Sequence, residues 1–164
     1  MKILNLLCVS ILLIFSLTGC AYDDPKYIHF EKKPSNNAYT TEIAENLSLK
    51  TPYSIELFNT DLYKTFPLTD EEKKILINFI KSTTIDNFND YEKISLVEVY
   101  QLRITFDNGD KYIIKVYNDN LISVNPYDGI FNEDIINMNN IPIHYNLYDF
   151  CIYTEKTHTK ENSL

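Results

Sequence analysis

Histidine, cysteine and grouped carboxylates carry most acid–base, nucleophilic and metal chemistry, and in this 164-residue chain they are few or scattered. The three histidines are His29, His144 and His158. No two stand at a metal-ligand spacing, and neither an HExxH helix nor a cysteine pair occurs, so no metal site is expected. His144 and Cys151 would share a helical face, but two turns separate them by ~10 Å along the axis. That is too far for a base to activate a thiol. Asp128, Asn132, Glu133 and Asp134 offer oxygens to a cation, but acids at alternate positions with a glycine at the sixth are missing. They read as a solvated loop. The 13 tyrosines, without any tryptophan, could stack on sugar rings or line a peptide groove. Tyr100 and Tyr112 fall on a core-facing register, so packing is the better reading of the set. One constellation remains. Arg103, the only arginine, would share an exposed sheet face with Lys111 and Lys115, beside Gln101, Thr105 and Tyr117. Such a patch could hold a carboxylate, a phosphate head group or a polymer phosphate. The plainer alternative is a solvated sheet face on which lysine discourages edge pairing.

The elements that must position these residues follow from pattern. Residues 53–57 alternate apolar and polar, the strand period. Thr69 opens a helix over about 69–82, with Glu72 closing a capping box and Asp70, Glu71 and Glu72 at the positive end of the dipole. Ile75, Leu76, Phe79 and Ile80 share one face. Two alternating runs then flank Asp107-Asn108-Gly109. A two-residue turn would pair Phe106 with Lys111 and reverse the faces. A three-residue loop with Gly109 in the left-handed region as a G1 bulge pairs Ile104 with Tyr112, Leu102 with Ile114 and Tyr100 with Val116. A third strand runs from Leu121 to Asn125. Ile143, Leu147, Phe150 and Cys151 mark an amphipathic helix near 144–154, with Cys151 as a small buried hydrophobe. The order β-α-β-β-β-α predicts an α+β domain: an antiparallel meander of three to four strands with two helices on one face.

A formal charge of −8 argues against a nucleic-acid binder, which needs cations to displace counterions. Three glycines exclude a dinucleotide fingerprint or a P-loop, and no cofactor is expected. The length suits one domain with its own core.

Residues 1–20 place the chain. A lysine, an apolar run from Ile3 to Leu17 and then Leu17-Thr18-Gly19-Cys20 make a segment too short to span ~30 Å of hydrocarbon but right for a secretory signal. This ending resembles the lipobox of bacterial lipoproteins. The resemblance implies diacylglyceryl transfer to the Cys20 sulfur and cleavage before it, and the acyl chains then anchor the protein. Residues 1–19 are read as signal peptide, 20–50 as lipidated cysteine and tether, 51–155 as the single domain and 156–164 as a polar tail. The lysine, asparagine, isoleucine and tyrosine bias fits an AT-rich Gram-positive source, with the domain on the extracytoplasmic side of the cell membrane. The Pro67-Leu68-Thr69 helix entry, the Phe106-to-Tyr112 hairpin and Asn146-Leu147-Tyr148 resemble small lipoproteins of such bacteria, in families of unknown function. The expected function is a monomeric, non-catalytic envelope module, held on the membrane through Cys20, that binds a protein or an anionic envelope polymer. The alternative is a small envelope hydrolase or transferase with dispersed active residues.

Overall fold

The computed structural model describes residues 32–129 and 131–161. Cys20, His29 and the expected signal peptide lie outside them. The described chain opens with α1 (Ala38–Ser48), followed by the hairpin β1 (Tyr53–Asn59) and β2 (Lys64–Pro67). Next come α2 (Asp70–Ser82) and, after a 3-10 turn at Ile85–Asn87, the two-residue strand β3 (Phe88–Asn89). Strands β4 (Tyr100–Phe106), β5 (Lys111–Val116), β6 (Leu121–Pro126) and β7 (Asp134–Asn137) form a meander, and α3 (Leu147–Glu161) ends the described chain.

All strand pairs are antiparallel, in the order β2-β1-β4-β5-β6-β7-β3. The α+β class holds, but the sheet has seven strands rather than three to four. Three helices stand among the described residues, not two, and the order of elements differs. The additional strands are short. In β7 the isoleucines Ile135 and Ile136 are adjacent, so no alternation announces it. Helix α1 lies inside the segment read as tether. Its apolar stripe is only Tyr39, Ile43 and Leu47, β-branched Thr40 and Thr41 lower its propensity, and Asn37 makes no side-chain cap. Helix α3 starts later than expected and continues to Glu161, into the expected polar tail. Asn146 Oδ1 accepts from the amides of Tyr148 (3.0 Å) and Asp149 (3.4 Å) and so begins it. Ile143, expected on its stripe, sits in a 3-10 turn with 80% of its surface exposed, and Ile141 is buried instead.

The hairpin register is the one that the alternation demands. Ile104 pairs with Tyr112, Leu102 with Ile114 and Tyr100 with Val116. Gly109 has φ +101°, its amide donates to the Phe106 carbonyl at 3.0 Å, and the Phe106 amide donates to that of Asp110 at 2.9 Å. This is the bulged three-residue loop. Thr69 and Glu72 close their capping box on α2. Every second residue of β1, β4, β5 and β6 enters one core with Leu76 and Phe79 of α2, Tyr39 and Ile43 of α1, and Leu147, Phe150 and Cys151 of α3. The three helices therefore cover one face of the sheet. Each fully buried aliphatic chain there contributes about 1.5–3 kcal/mol relative to exposure.

Strand order dictates what happens on the other face. Strand β3 lies at the far edge beside β7, whereas β4 lies between β1 and β5. Residues 90–98 must therefore travel back across β7, β6 and β5, and the helices already occupy the core side. The segment runs over the open face and covers part of it.

Candidate functional site

Arg103, Lys111 and Lys115 all stand on that open face, on adjacent strands. Lys111 is opposite Thr105, Lys115 opposite Gln101 and Arg103 opposite Ile113. Their chemistry differs. The Arg103 fork donates to Gln101 Oε1 from Nε (3.1 Å) and Nη2 (2.9 Å), and its guanidinium carbon lies 4.0 Å from the centre of the Phe58 ring. Gln101 in turn donates to Glu98 at 3.1 Å. Lys115 is ion-paired with Glu133. Burial alone would lower the Lys115 pKa; Glu133, with Tyr117 and Glu98 further off, raises it above the ordinary lysine value. The Lys111 ammonium is exposed and, among the described residues, makes no hydrogen bond or ion pair, while its carbonyl accepts from the Tyr127 amide at 2.9 Å. The patch is thus one free ammonium beside two engaged cations.

Strap 90–98 is fastened at its start, where Asn36 Nδ2 donates to Asp90 Oδ1 at 2.7 Å. Beneath it Ser123, Ile135 and Tyr117 are buried, and the Tyr117 and Ser123 hydroxyls lie 3.2 Å apart. Two recesses adjoin the strap. One of ≈ 490 Å³ has an apolar floor of Leu121 and Ile135 under Ile94 and Leu96. The other, ≈ 290 Å³, lies among Tyr91, Asn125, Tyr127, Phe131, Asn132 and Glu133. There Asn125 Nδ2 donates to the Pro126 carbonyl at 3.2 Å, while its buried Oδ1 has no partner among the described residues. Sequence pattern does not reveal this recess, because Tyr91 reaches it only through the return of the strap. The hints in sequence are the tyrosine count and the oxygen-bearing Asn132 and Glu133 of the loop read as solvated.

Other chemistry-bearing groups hold elements together. Glu133 and Asp134 are neighbours in sequence but point to opposite faces. The Asp134 carboxylate is fully buried, accepts from Thr40 N (2.7 Å) and Thr40 Oγ (2.8 Å), and lies 2.6 Å from Lys33 Nζ. It supplies from β7 the cap that α1 lacks locally. Glu72 accepts from Thr69 N (2.8 Å) and Thr69 Oγ (2.9 Å) and lies 3.2 Å from His158 Nε2. Burial would raise its pKa, but these donors outweigh burial and lower it. Tyr100 donates to Glu155 at 2.7 Å, and Asn59 to the same oxygen at 3.0 Å. Burial first, then Glu155, raises the Tyr100 pKa. Cys151 is wholly buried, and burial, with Glu155 adding, raises its thiol pKa. His144 lies outside α3, against the Tyr145 ring. Among the described residues no group of three His, Cys, Asp or Glu could hold a metal ion.

These features define a class: a small α+β domain with three helices on one face of a seven-stranded antiparallel sheet and a strap across the other. Over residues 33–151 the chain matches a family described as a domain of unknown function, DUF4883, and it belongs to that family. The match begins at Lys33, the residue paired with Asp134. Among solved structures it is similar to one described as "Putative Lipoprotein from Clostridium perfringens". That structure has 28% sequence identity and a TM-score of 0.69 over 76% of this chain and 99% of the other. No curated protein gives a match. Among the described residues no helix is long and apolar enough to cross a membrane.

Proposed function

We propose that this DUF4883 chain is a lipid-anchored module of a Gram-positive cell envelope, held through Cys20 on the extracytoplasmic side of the cell membrane, that binds rather than transforms its ligand. The observation that carries binding is the division of the sheet. One face holds the core, and the other is open, strapped and recessed, with Arg103, Lys111 and Lys115 across it. The ionisable groups of the interior serve as fasteners: Asp134 for α1, Glu72 for α2 and α3, Glu155 for α3 against β1 and β4. Groups committed in this way are poorly placed to exchange protons with a substrate. The partner is a protein or an envelope polymer. Anchoring draws support from Leu17-Thr18-Gly19-Cys20 and from the lipoprotein description of the similar structure.

Three measurements test this reading. Metabolic labelling with palmitate should mark the wild type and leave Cys20→Ala unlabelled and unprocessed; label on the variant refutes the anchor. Crosslinking in intact cells, followed by purification and mass spectrometry, should capture an envelope component at the open face. Turnover of envelope substrates by the purified chain would refute the non-catalytic role.

A further inference from the structure

The strap crosses β7, β6 and β5, so the open face of β1 and β4 stays clear of it. Arg103 stands there against the Phe58 ring, and that ring meets Tyr63 edge-on with centroids 6.2 Å apart. Of the five guanidinium N–H groups, Gln101 Oε1 takes only two, that of Nε and one on Nη2. These form one edge of the plane. The outer edge, where an N–H of Nη1 runs parallel to the second N–H of Nη2, makes no hydrogen bond or ion pair among the described residues. Stacking on Phe58 and the bond to Gln101, itself held by Glu98, fix the fork before any ligand arrives. Tyr63 is the second unusual residue. Its φ is +52°, a region that glycine enters freely and a bulky side chain only under strain, yet 83% of its surface is exposed. The turn that carries it is pinned. Asn59 Oδ1 accepts from the amides of Asp61 (2.9 Å) and Leu62 (2.8 Å), and Thr60 Oγ donates to the Glu98 carbonyl at 2.7 Å. Leu62, beside it, has 54% of its surface exposed. Strain kept at an exposed ring points to a use outside the fold.

Geometry and charge decide between partners. An outward pair of parallel N–H groups on a planar cation matches the two oxygens of a carboxylate. A phosphate polymer needs several cations in register, and this face offers few. Lys115 is neutralised by Glu133, and Glu56 stands opposite Arg103 on β1 without an ion pair to it. A single carboxylate meets that repulsion once, whereas a polyanion meets it along its length and meets the chain's charge of −8 as well. Such a polymer would also leave Leu62 and Tyr63 uncovered, while a flat contact with both apolar and polar parts is what a protein surface provides. Tyrosine and arginine side by side are the residues on which such contacts turn. We propose that Arg103, Phe58 and Tyr63 form the docking point for a protein partner, whose carboxylate seats on the outer edge of Arg103 and whose adjoining apolar side chain seats on Tyr63. This rests on the binding-module reading and names its partner as a protein rather than a polymer.

Arg103 is the only arginine, so labelling arginine with heavy nitrogen gives a single Nε–H resonance and a direct view of the fork. The full chain in a non-ionic detergent is titrated with hippurate, a carboxylate beside an aromatic ring, and with acetate and inorganic phosphate as controls. The expected result is a saturable shift with hippurate in the millimolar range, a several-fold weaker one with acetate and the weakest with phosphate. Variants are read by saturation transfer to the hippurate ring. Arg103→Lys, which keeps the charge and loses the fork, should weaken binding several-fold. Tyr63→Gly should weaken it by roughly threefold to tenfold, the worth of one aromatic contact, while the thermal midpoint does not fall, because glycine relieves the backbone. A tyrosine kept for the fold alone would give the opposite pattern. No saturable shift with hippurate, phosphate binding at least as tight, or unchanged hippurate binding in either variant overturns the proposal. Retention of the chain on isolated envelopes, measured in parallel, separates the two readings. It should fall when the envelopes are first treated with protease and when Tyr63→Gly replaces the wild type. Retention that survives either change removes this docking point while the module stands. If the wild type is not retained at all, the module reading falls as well.

Discussion

Asp134→Ala is the substitution whose cost can be worked most fully from the structure. The side chain is fully buried: Oδ2 accepts from the Thr40 amide (2.7 Å) and the Thr40 hydroxyl (2.8 Å), and Oδ1, without a hydrogen bond among the described residues, is ion-paired with the Lys33 ammonium at 2.6 Å. Truncation leaves the Thr40 amide and hydroxyl buried without an acceptor and Lys33 without its counter-ion. Breaking a buried pair by removing one partner costs about 3–5 kcal/mol. Lys33 keeps 16% of its side-chain surface in water and can turn outward, which favours the lower end, about 3 kcal/mol. Against a total stability of roughly 5–15 kcal/mol, that is a large share. Asp134→Asn keeps one acceptor for Thr40 and loses the charge facing Lys33, so it should cost about 1–2 kcal/mol. Urea unfolding followed by circular dichroism measures each value. Hydrogen exchange should show the loss first at the amides of α1, because the carboxylate joins α1 to β7. A coupling energy of about 0.5–3 kcal/mol is expected from the cycle Lys33→Met with Asp134→Asn. An Asp134→Ala protein within about 0.5 kcal/mol of wild type, with α1 equally protected, would refute the reasoning.

Three further expectations follow from the same geometry. The lowered pKa of Glu72 means that its ionised form stabilises the fold above the ordinary value of 4.5 and that this contribution is lost as pH falls through the lower folded value. Glu72→Gln should flatten the acid side of the stability profile, read from urea midpoints between neutral pH and about pH 3, and an unchanged profile would count against the assignment. Cys151 should resist thiol reagents in the native state, and Cys151→Ala should cost about 1 kcal/mol from its cavity, with Cys151→Asp costing considerably more. Rapid labelling of the native protein would contradict its burial. Replacing Arg103, Lys111 and Lys115 by glutamine should reduce salt-sensitive retention on an anionic polymer if that face is the contact. Lys115 also contributes at most about 1 kcal/mol of stability through Glu133. Retention that is equal at low salt would exclude the patch.

Sequence pattern disclosed the elements whose signals are local. The capping box of Thr69 and Glu72 is a short-range bond, and the 106–110 loop follows from the requirement that two alternating strands keep their faces. Both stand in the structure as the pattern required. Elements that depend on distant partners were not legible. Helix α1 takes its cap from Asp134, 94 residues away, so nothing beside Asn37 could announce it. Strand β3 owes its place to Asn87, whose amide donates to the Asn137 carbonyl at 3.1 Å and ties the 3-10 turn to β7. The candidate site divides in the same way. Alternation alone places Arg103, Lys111 and Lys115 on one face. Alternation also sets Gln101 beside Arg103, but the pairing of Lys115 with Glu133 depends on a side chain that alternation does not bring near. The strap, and with it Tyr91, depends wholly on strand order.

The fastening of α1 and the shape of the recess are one problem. Tyr39, one residue before Thr40, receives the Phe131 amide on its hydroxyl oxygen at 2.8 Å and lies 3.2 Å from the Phe131 carbonyl. Phe131 lines the recess, and Glu133 and Asp134 follow it directly. Helix α1 therefore holds the β6–β7 connection from the core side at two places while that connection presents Glu133 to the open face. The alternation leading into β7 makes this possible: one step along the chain exchanges the buried fastener Asp134 for the part-buried Glu133 on the open face. Loss of the Asp134 anchor should accordingly loosen the recess as well as α1. Asp134→Asn should speed amide hydrogen exchange at Phe131 and Asn132 as well as in α1, whereas Glu72→Gln, whose partners are Thr69 and His158, leaves that exchange unchanged. Equal responses in the two variants would mean that the recess is shaped by the strap alone and that α1 has no part in it.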